Sequence, residues 1–424
     1  MAGSFQEAVD RLVKDVDSLK AMTPSLMAVM ELTRREGRKR VEAYVEEHDI
    51  PTRQEDGHVI YTLPPEHIAQ FRKRNSRVEH ASTALRMIPR SFVVTLVSQF
   101  DSFLGRLIRV MYETRPELLE ASDRQLTYAQ LVEFSTLEDA REYIIEKEVE
   151  SVLRKSHADH FSWLEKKLNT TLRAGLDAWP VFIELTERRN LFVHNDGIVT
   201  RQYLEVCTDH GGEPEAGLTP GDHLGVSQPY FVQACDCLLE IAVKLTHVAW
   251  RKLSEEDREA ADNALNGYAY TLLVQGSYDL AIKLLRFGTE TIKTHSSEEL
   301  VLYMKVNLAQ AYKWGGDAEE CERILEQVDW SAKGDHLRLG YFVLNEQYEE
   351  ASKIIRRAGS DHPVLTKQSY RDWPLFRDCR GRHEFLDAYR DVFGEEFAIE
   401  EESDVGRGDG PAEEADDPGA PTVG

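Results

Sequence analysis

Only one run in this chain, His58–Leu63, alternates in the manner of a β-strand, and Pro64-Pro65 ends it. Elsewhere apolar residues return every three or four positions. Phe5, Val9, Leu12, Val13 and Val16 form one such series, and Phe92, Leu96, Val97, Phe100, Phe103, Leu104, Leu107 and Ile108 form another. At 100° per residue this spacing puts them on one face of a helix. A lone strand has no sheet to join, so it is expected as an extended loop or a small hairpin in an all-α protein. Ile88-Pro89-Arg90 is expected to open the helix that carries the second series, because proline suits a first helical turn. Further helices are expected over 127–134, 137–153 and 231–253, with a long Gly-, Pro- and Asp-containing loop over 207–229.

One helix has both ends marked. Pro180 follows Trp179 at its start, and Asn195-Asp196-Gly197 supplies residues that tolerate positive φ at its end. Between them Val181, Phe182, Leu185, Phe192 and Val193 fall on one side, and Arg189 lies inside that apolar sector. A guanidinium cannot shed its charge, so this arginine needs a partner or an interface. Asn190 and His194 are four residues apart and share another face. The plainest reading pairs Arg189 with a core carboxylate and uses His194 to cap the last carbonyls. Arg-x4-His also occurs at Arg53–His58 and Arg357–His362, but there a glycine intervenes and the context is a loop.

The stretch Arg189-Asn190-Leu191-Phe192-Val193-His194, followed by Asn195-Asp196-Gly197 and Tyr203-Leu204, resembles the signature of the HEPN superfamily. The resemblance covers roughly residues 90–253. It implies an all-α bundle and a metal-independent ribonuclease that works as a homodimer, with the motifs of two subunits forming one composite site. By the same resemblance Arg189, His194 and Asn190 are catalytic candidates. Asp101, beside the apolar stripe of an early helix, would orient Arg189; its plain alternative is an exposed charge or a structural ion pair.

After residue 254 the pattern changes. The segments beginning at Gly276, Gly316 and Asn345 each resemble the second-helix opening of a tetratricopeptide (TPR) unit, with small residues at Ala281, Cys321 and Ala351 that permit close helix packing. Those small residues lie 40 and 30 residues apart, so a regular 34-residue period is not kept. Such arrays leave a concave surface that takes a protein or peptide. The expected organisation is an N-terminal helical region over 1–89, a HEPN-like bundle over 90–253, TPR-like repeats with a capping helix over 254–394, and an acidic disordered tail over 395–424.

Composition narrows the function further. The net charge is −24, of which the tail, with eleven acids and one arginine, holds −10. That excludes an extended basic nucleic-acid surface but leaves room for a small basic site. The short basic runs Arg34–Arg40 and Phe71–Arg77 read first as solvated helix faces. Five cysteines without a Cys-x-x-Cys pair support neither a disulfide framework nor a zinc site. No apolar run reaches the roughly 18 residues of a membrane span, and the N-terminus lacks a basic-then-apolar leader, so a cytoplasmic location is expected. No cluster of carboxylates or histidines stands out in the sequence, so no metal and no cofactor are expected.

Two functions follow. The first is a metal-independent endoribonuclease, a conditional toxin of prokaryotic defence by resemblance, with RNA as substrate and the repeats as sensor or regulatory module. The alternative is a non-catalytic HEPN/TPR adaptor that dimerises and binds a partner protein.

Overall fold

The structure, a computed structural model, describes residues 4–55, 58–120, 125–213, 215 and 217–398. Helix accounts for 73% and strand for 2%, so the chain is all-α. In chain order the elements are α1 (Phe5–Glu47), β1 (Thr52–Glu55), β2 (His58–Tyr61), α2 (Pro65–Thr114), α3 (Tyr128–Leu131), α4 (Leu137–Leu153), α5 (His157–Leu168), α6 (Trp179–His194), α7 (Arg201–Asp209) and α8 (Gln228–Leu253). Then follow α9 (Arg258–Val274), α10 (Tyr278–Arg286), α11 (Glu298–Gly315), α12 (Ala318–Glu326), α13 (Asp335–Leu344), α14 (Tyr348–Ala358), α15 (Lys367–Asp372) and α16 (His383–Phe393). The expected tail lies, from residue 399 onward, outside the described residues.

The chain divides into two compact units, each gathered from separate stretches. Among the described residues, one takes 10–106 and 149–239 and contains the α6 helix; the other takes 4–9, 107–148 and 240–398. The division falls within α1, α2, α4 and α8.

In the unit that holds α6, the strand-like run pairs as a two-stranded antiparallel hairpin, with Thr52 opposite Tyr61 and Glu55 opposite His58. The hairpin packs on a small core of Val41, Tyr44, Ile50, Phe71 and Val78, against which Tyr61 and Leu63 lie. The expected helix start at Pro89 is corrected. Helix α2 runs unbroken from Pro65 to Thr114 with Pro89 inside it. An interior proline costs about 3 kcal/mol. Val78 and Ala81 are buried before it and Val93, Leu96, Val97, Phe100, Phe103 and Leu104 after it. At about 1.5–3 kcal/mol for each large buried side chain, the continuous apolar face outweighs that cost. By length and hydropathy α2 is the one helix among the described residues that could cross a membrane, and 44% of its most apolar window is buried within the protein. The larger core of this unit sets Phe100 against Phe182, with ring centroids 5.0 Å apart, and Phe161 against Phe182 at 5.5 Å.

The other unit contains three successive helix pairs, α9 with α10, α11 with α12 and α13 with α14, and α10 also packs on α11. Their uneven spacing has a local cause. Helix α13 has 10 residues where α9 has 17 and α11 has 18, and a π-helical turn at Phe287–Thr291 with a loop behind it lengthens the first interval. The small positions Ala281, Cys321 and Ala351 are all buried. All five cysteines are buried, and no disulfide joins them. Helix α14 packs on α16, which with Phe376, Tyr370 and Phe397 closes the end of the array in an aromatic cluster.

Asp262 is fully buried in this second unit. It accepts hydrogen bonds from Arg251 at 2.5 Å, His295 at 2.9 Å and the Ser296 amide and hydroxyl at 2.7 and 2.8 Å. Burial alone would raise its pKa, but these donors more than offset it and hold the carboxyl well below the usual range. His247 nearby is pushed down to about 3, by burial first and by Arg251 second. Both groups therefore bind fewer protons folded than unfolded as acid is added. The stability from His247 is present above its unfolded pKa of about 6.5 and that from Asp262 above about 4; both are lost as pH falls. Chemical-denaturation midpoints should decline below pH ~6.5 and more steeply below ~4. Asp262→Asn should lower stability at pH 7 and flatten the steeper limb; an unchanged acid limb in that variant would refute the assignment.

Candidate functional site

Helix α6 is the inner helix of its unit. Phe182, Ile183, Leu185, Thr186, Arg188 and Leu191 are buried around most of its circumference, and only Val193 and His194 at its end are exposed. This corrects the expected face. The arginine placed in the apolar environment is Arg188, 5% exposed, and not Arg189.

Arg188 is satisfied by a dense set of partners. Its Nε donates to Glu184 Oε1 at 2.6 Å, one terminal nitrogen donates to the Gly225 carbonyl at 3.0 Å, and the other reaches Glu215 at 3.4 Å. Its guanidinium lies 4.0 Å from the Tyr230 ring centroid. Glu184 also accepts from the Tyr203 hydroxyl at 2.5 Å and the Tyr230 hydroxyl at 2.9 Å. Burial first, and then Glu184, raises the pKa of both phenols. This network ties α6 to α7, to the 210–227 loop and to the start of α8. It lines a cavity of about 260 Å³ together with Cys207, Gly211 and Gly212.

Arg189 faces the other way. It is one-quarter exposed, one terminal nitrogen lies 3.6 Å from Asp101 Oδ2, and the other donates to Asn190 Oδ1 at 3.1 Å. Its Nε is buried and has no hydrogen-bond partner. Asn190 donates in turn to Glu187 at 3.4 Å. Burial raises the Glu187 carboxyl above its ordinary range, although His157 and the bond from Asn190 pull it down. The structure thus brings Asp101, Arg189 and Asn190 together. His194 is not part of that group: it ends α6, is exposed, and makes no hydrogen bond or ion pair to a described residue.

The end of α6 is fixed by backbone geometry. Asp196 and Gly197 take φ of +50° and +78°. A side chain at Gly197 would meet the Arg90 guanidinium and the Leu224 carbonyl at 3.2 Å. Arg90 donates to the carbonyls of Asp196 and Leu224, both at 3.0 Å, and sits 5.3 Å from the Phe192 ring. Ile198 and His223 form an isolated bridge. The long loop is therefore pinned to the end of the helix that carries His194, and Arg90 is a positioning residue that the sequence reading did not single out.

No protein-family model matches this chain, and no curated protein or solved structure matches it significantly. The site is therefore read from its own geometry.

Two further histidines join Asp101. His157 Nε2 lies 2.9 Å from Asp101 Oδ1, and the His157 and His160 rings are 5.0 Å apart. His160 is 1% exposed, and neither of its ring nitrogens makes a hydrogen bond, although the Lys155 and Val152 carbonyls lie nearby. Burial, and then neighbouring His157, push its pKa down to about 4. The expectation that no histidine and carboxylate cluster exists is thus corrected. The available signal was His157-x-x-His160, which places both rings on one face of a helix.

Proposed function

We propose that the α6-bearing unit is a HEPN-type, metal-independent endoribonuclease. The observation that supports this most is that Arg189 is left accessible, tied only loosely to Asp101 and Asn190, while the core's electrostatic need is met by Arg188. A partly exposed cation and an exposed imidazole, one from each protomer of a dimer, are the pair that phosphoryl chemistry requires.

RNA carries its own nucleophile. The 2′-hydroxyl attacks phosphorus, the bond to the 5′-oxygen breaks, and a 2′,3′-cyclic phosphate and a 5′-hydroxyl remain. The proton leaving the 2′-oxygen and the proton gained by the 5′-oxygen are both within reach of imidazole chemistry, which operates near neutrality. His194 takes that part. Arg189, with a fork that can hold two phosphoryl oxygens, stabilises the charge of the phosphorane. Asn190 positions Arg189, and Asp101 orients it from α2. Arg189 and His194 sit five positions apart, about 140° around a helix, so a single helix does not aim both at one phosphate. A homodimer in which the Arg189 of one protomer meets the His194 of the other resolves this.

The helix-pair unit would sense or restrain. It resembles TPR-like repeats, and a cavity of about 410 Å³ there is lined by Asn266, Tyr270, Tyr303, Asn307 and Trp373. Asn307 donates to Asn266 at 2.8 Å and keeps a buried, unpartnered Oδ1. Such amides suit the backbone of a protein or peptide partner. A cytoplasmic conditional toxin of prokaryotic defence fits this combination. The adaptor reading shares the fold and the partner surface but lacks the cutting.

Purified protein should cut RNA in the presence of EDTA and leave 2′,3′-cyclic phosphate ends. Cutting that EDTA stops, or no cutting with any RNA in the presence or absence of the repeats' partner, contradicts the enzyme reading.

A further inference from the structure

We propose that Asp101, His157 and His160 form a binding site for a divalent first-row transition metal of the zinc class. One carboxylate oxygen and one nitrogen from each ring all lie within 4.8 Å of one another. Two imidazole nitrogens and one carboxylate oxygen are a donor set that zinc takes at about 2.0–2.2 Å, leaving a fourth position for water. Tetrahedral bonds of that length put ligand atoms ~3.3 Å apart. Asp101 and His157 are already at 2.9 Å. The remaining donor needs to close by up to about 1.5 Å, from within 4.8 Å to ~3.3 Å.

The independent observation is His160. It is almost wholly buried, and neither ring nitrogen makes a well-aligned hydrogen bond, although the Lys155 and Val152 carbonyls lie close by. A buried imidazole without well-aligned partners is unfavourable, because it has given up water for nothing equivalent. A metal ion would supply the missing contact. The surroundings are suited to hold the rings in place. His157 lies against Phe182 edge-on, with centroids 5.6 Å apart, and against Phe100 at 6.4 Å. Helix α5 fixes the two histidines one turn apart, and its Ser156 cap accepts from the Asp159 amide, so the first turn that carries His157 is anchored. The second oxygen of Asp101 keeps its place 3.6 Å from Arg189, an outer partner of the kind that orients a ligating carboxylate.

The site stands whether or not Arg189 and His194 cut RNA. Metal binding here and RNA cutting in EDTA are separate measurements, and either can fail alone.

The test uses the full chain, stripped with EDTA and desalted, then titrated with Zn²⁺ by calorimetry and with Co²⁺ by visible absorption. The wild type should take up one tight equivalent and give the d–d bands of a low-coordinate Co²⁺. Loss of outer-shell partners alone weakens metal binding ~10–100-fold, so loss of a ligand should weaken it at least ~100-fold. His157→Gln, His160→Gln and Asp101→Asn should each show that loss and lose the Co²⁺ bands. His383→Gln, at an exposed position, should behave as wild type. Asp101→Asn keeps its shape, which covers the case in which a buried histidine variant fails to fold; circular dichroism identifies such a failure. Zinc uptake that is absent in the wild type, or equal in wild type and Asp101→Asn, overturns the proposal.

Discussion

Arg188→Ala is expected to lower stability by about 3–5 kcal/mol, the cost of removing one partner from a buried ion pair. Arg189→Ala, one position along, should cost under ~1 kcal/mol. The contrast follows from where each guanidinium goes. Arg188 is 5% exposed and holds Glu184, the Gly225 carbonyl and the face of Tyr230. Without it, Glu184 keeps two phenol donors but faces a hole and an uncompensated charge. The 210–227 loop loses one of its ties to the helix as well. For a unit of this size the change corresponds to a drop on the order of 10 °C in its unfolding temperature. Arg189 is one-quarter exposed, and its closest carboxylate is 3.6 Å away. Chemical denaturation of the two variants side by side decides the matter. Equal losses, or the larger loss at Arg189, would mean that the two arginines have been assigned the wrong roles.

That pair also marks the limit of what periodicity can reveal. Helix α6, its proline start and its Asn195-Asp196-Gly197 stop were legible because local backbone chemistry sets them. Its orientation was not. The apolar residues Val181, Phe192 and Val193 suggested one face, but Val193 is 48% exposed and Val181 and Phe192 are only partly covered. A helix packed on nearly all sides has no single polar face to point the reader. Arg188 was overlooked because its partners beyond Glu184, namely Glu215, Gly225 and Tyr230, arrive from far along the chain. Pro89 misled for a related reason: a local start signal was overruled by tertiary burial on both sides of it. The all-α character was readable throughout, since nearly every segment carried the helical period. The helix pairs after residue 254 were readable at their second helices, where Ala281, Cys321 and Ala351 meet their neighbours. Asp101, Arg189 and Asn190 were nominated and lie together; His157 and His160 were not, because their spacing alone is common and only the fold brings Asp101 to them.

Arg189→Ala and His194→Ala should each reduce RNA cutting by about 10²–10⁴-fold, the range for removing a transition-state cation or a general acid–base. Both variants should remain folded, His194 because it is exposed and Arg189 for the reasons above. Because the two groups serve one transition state, the double variant should be little worse than either single one. An adaptor would show no such loss, having no cutting to lose. A scaffold role for His194 as a mere helix cap would show a stability change without a kinetic one.

The central claim is that the guanidinium and the imidazole reach a scissile phosphate from different protomers. Mixing the folded Arg189→Ala and His194→Ala proteins under conditions that exchange subunits tests it most directly. A mixed dimer retains one intact pair, so cutting should return to a sizeable fraction of the wild-type rate although each parent alone is nearly inactive. A mixture as inactive as its parents, in dimers shown to have exchanged, would contradict it.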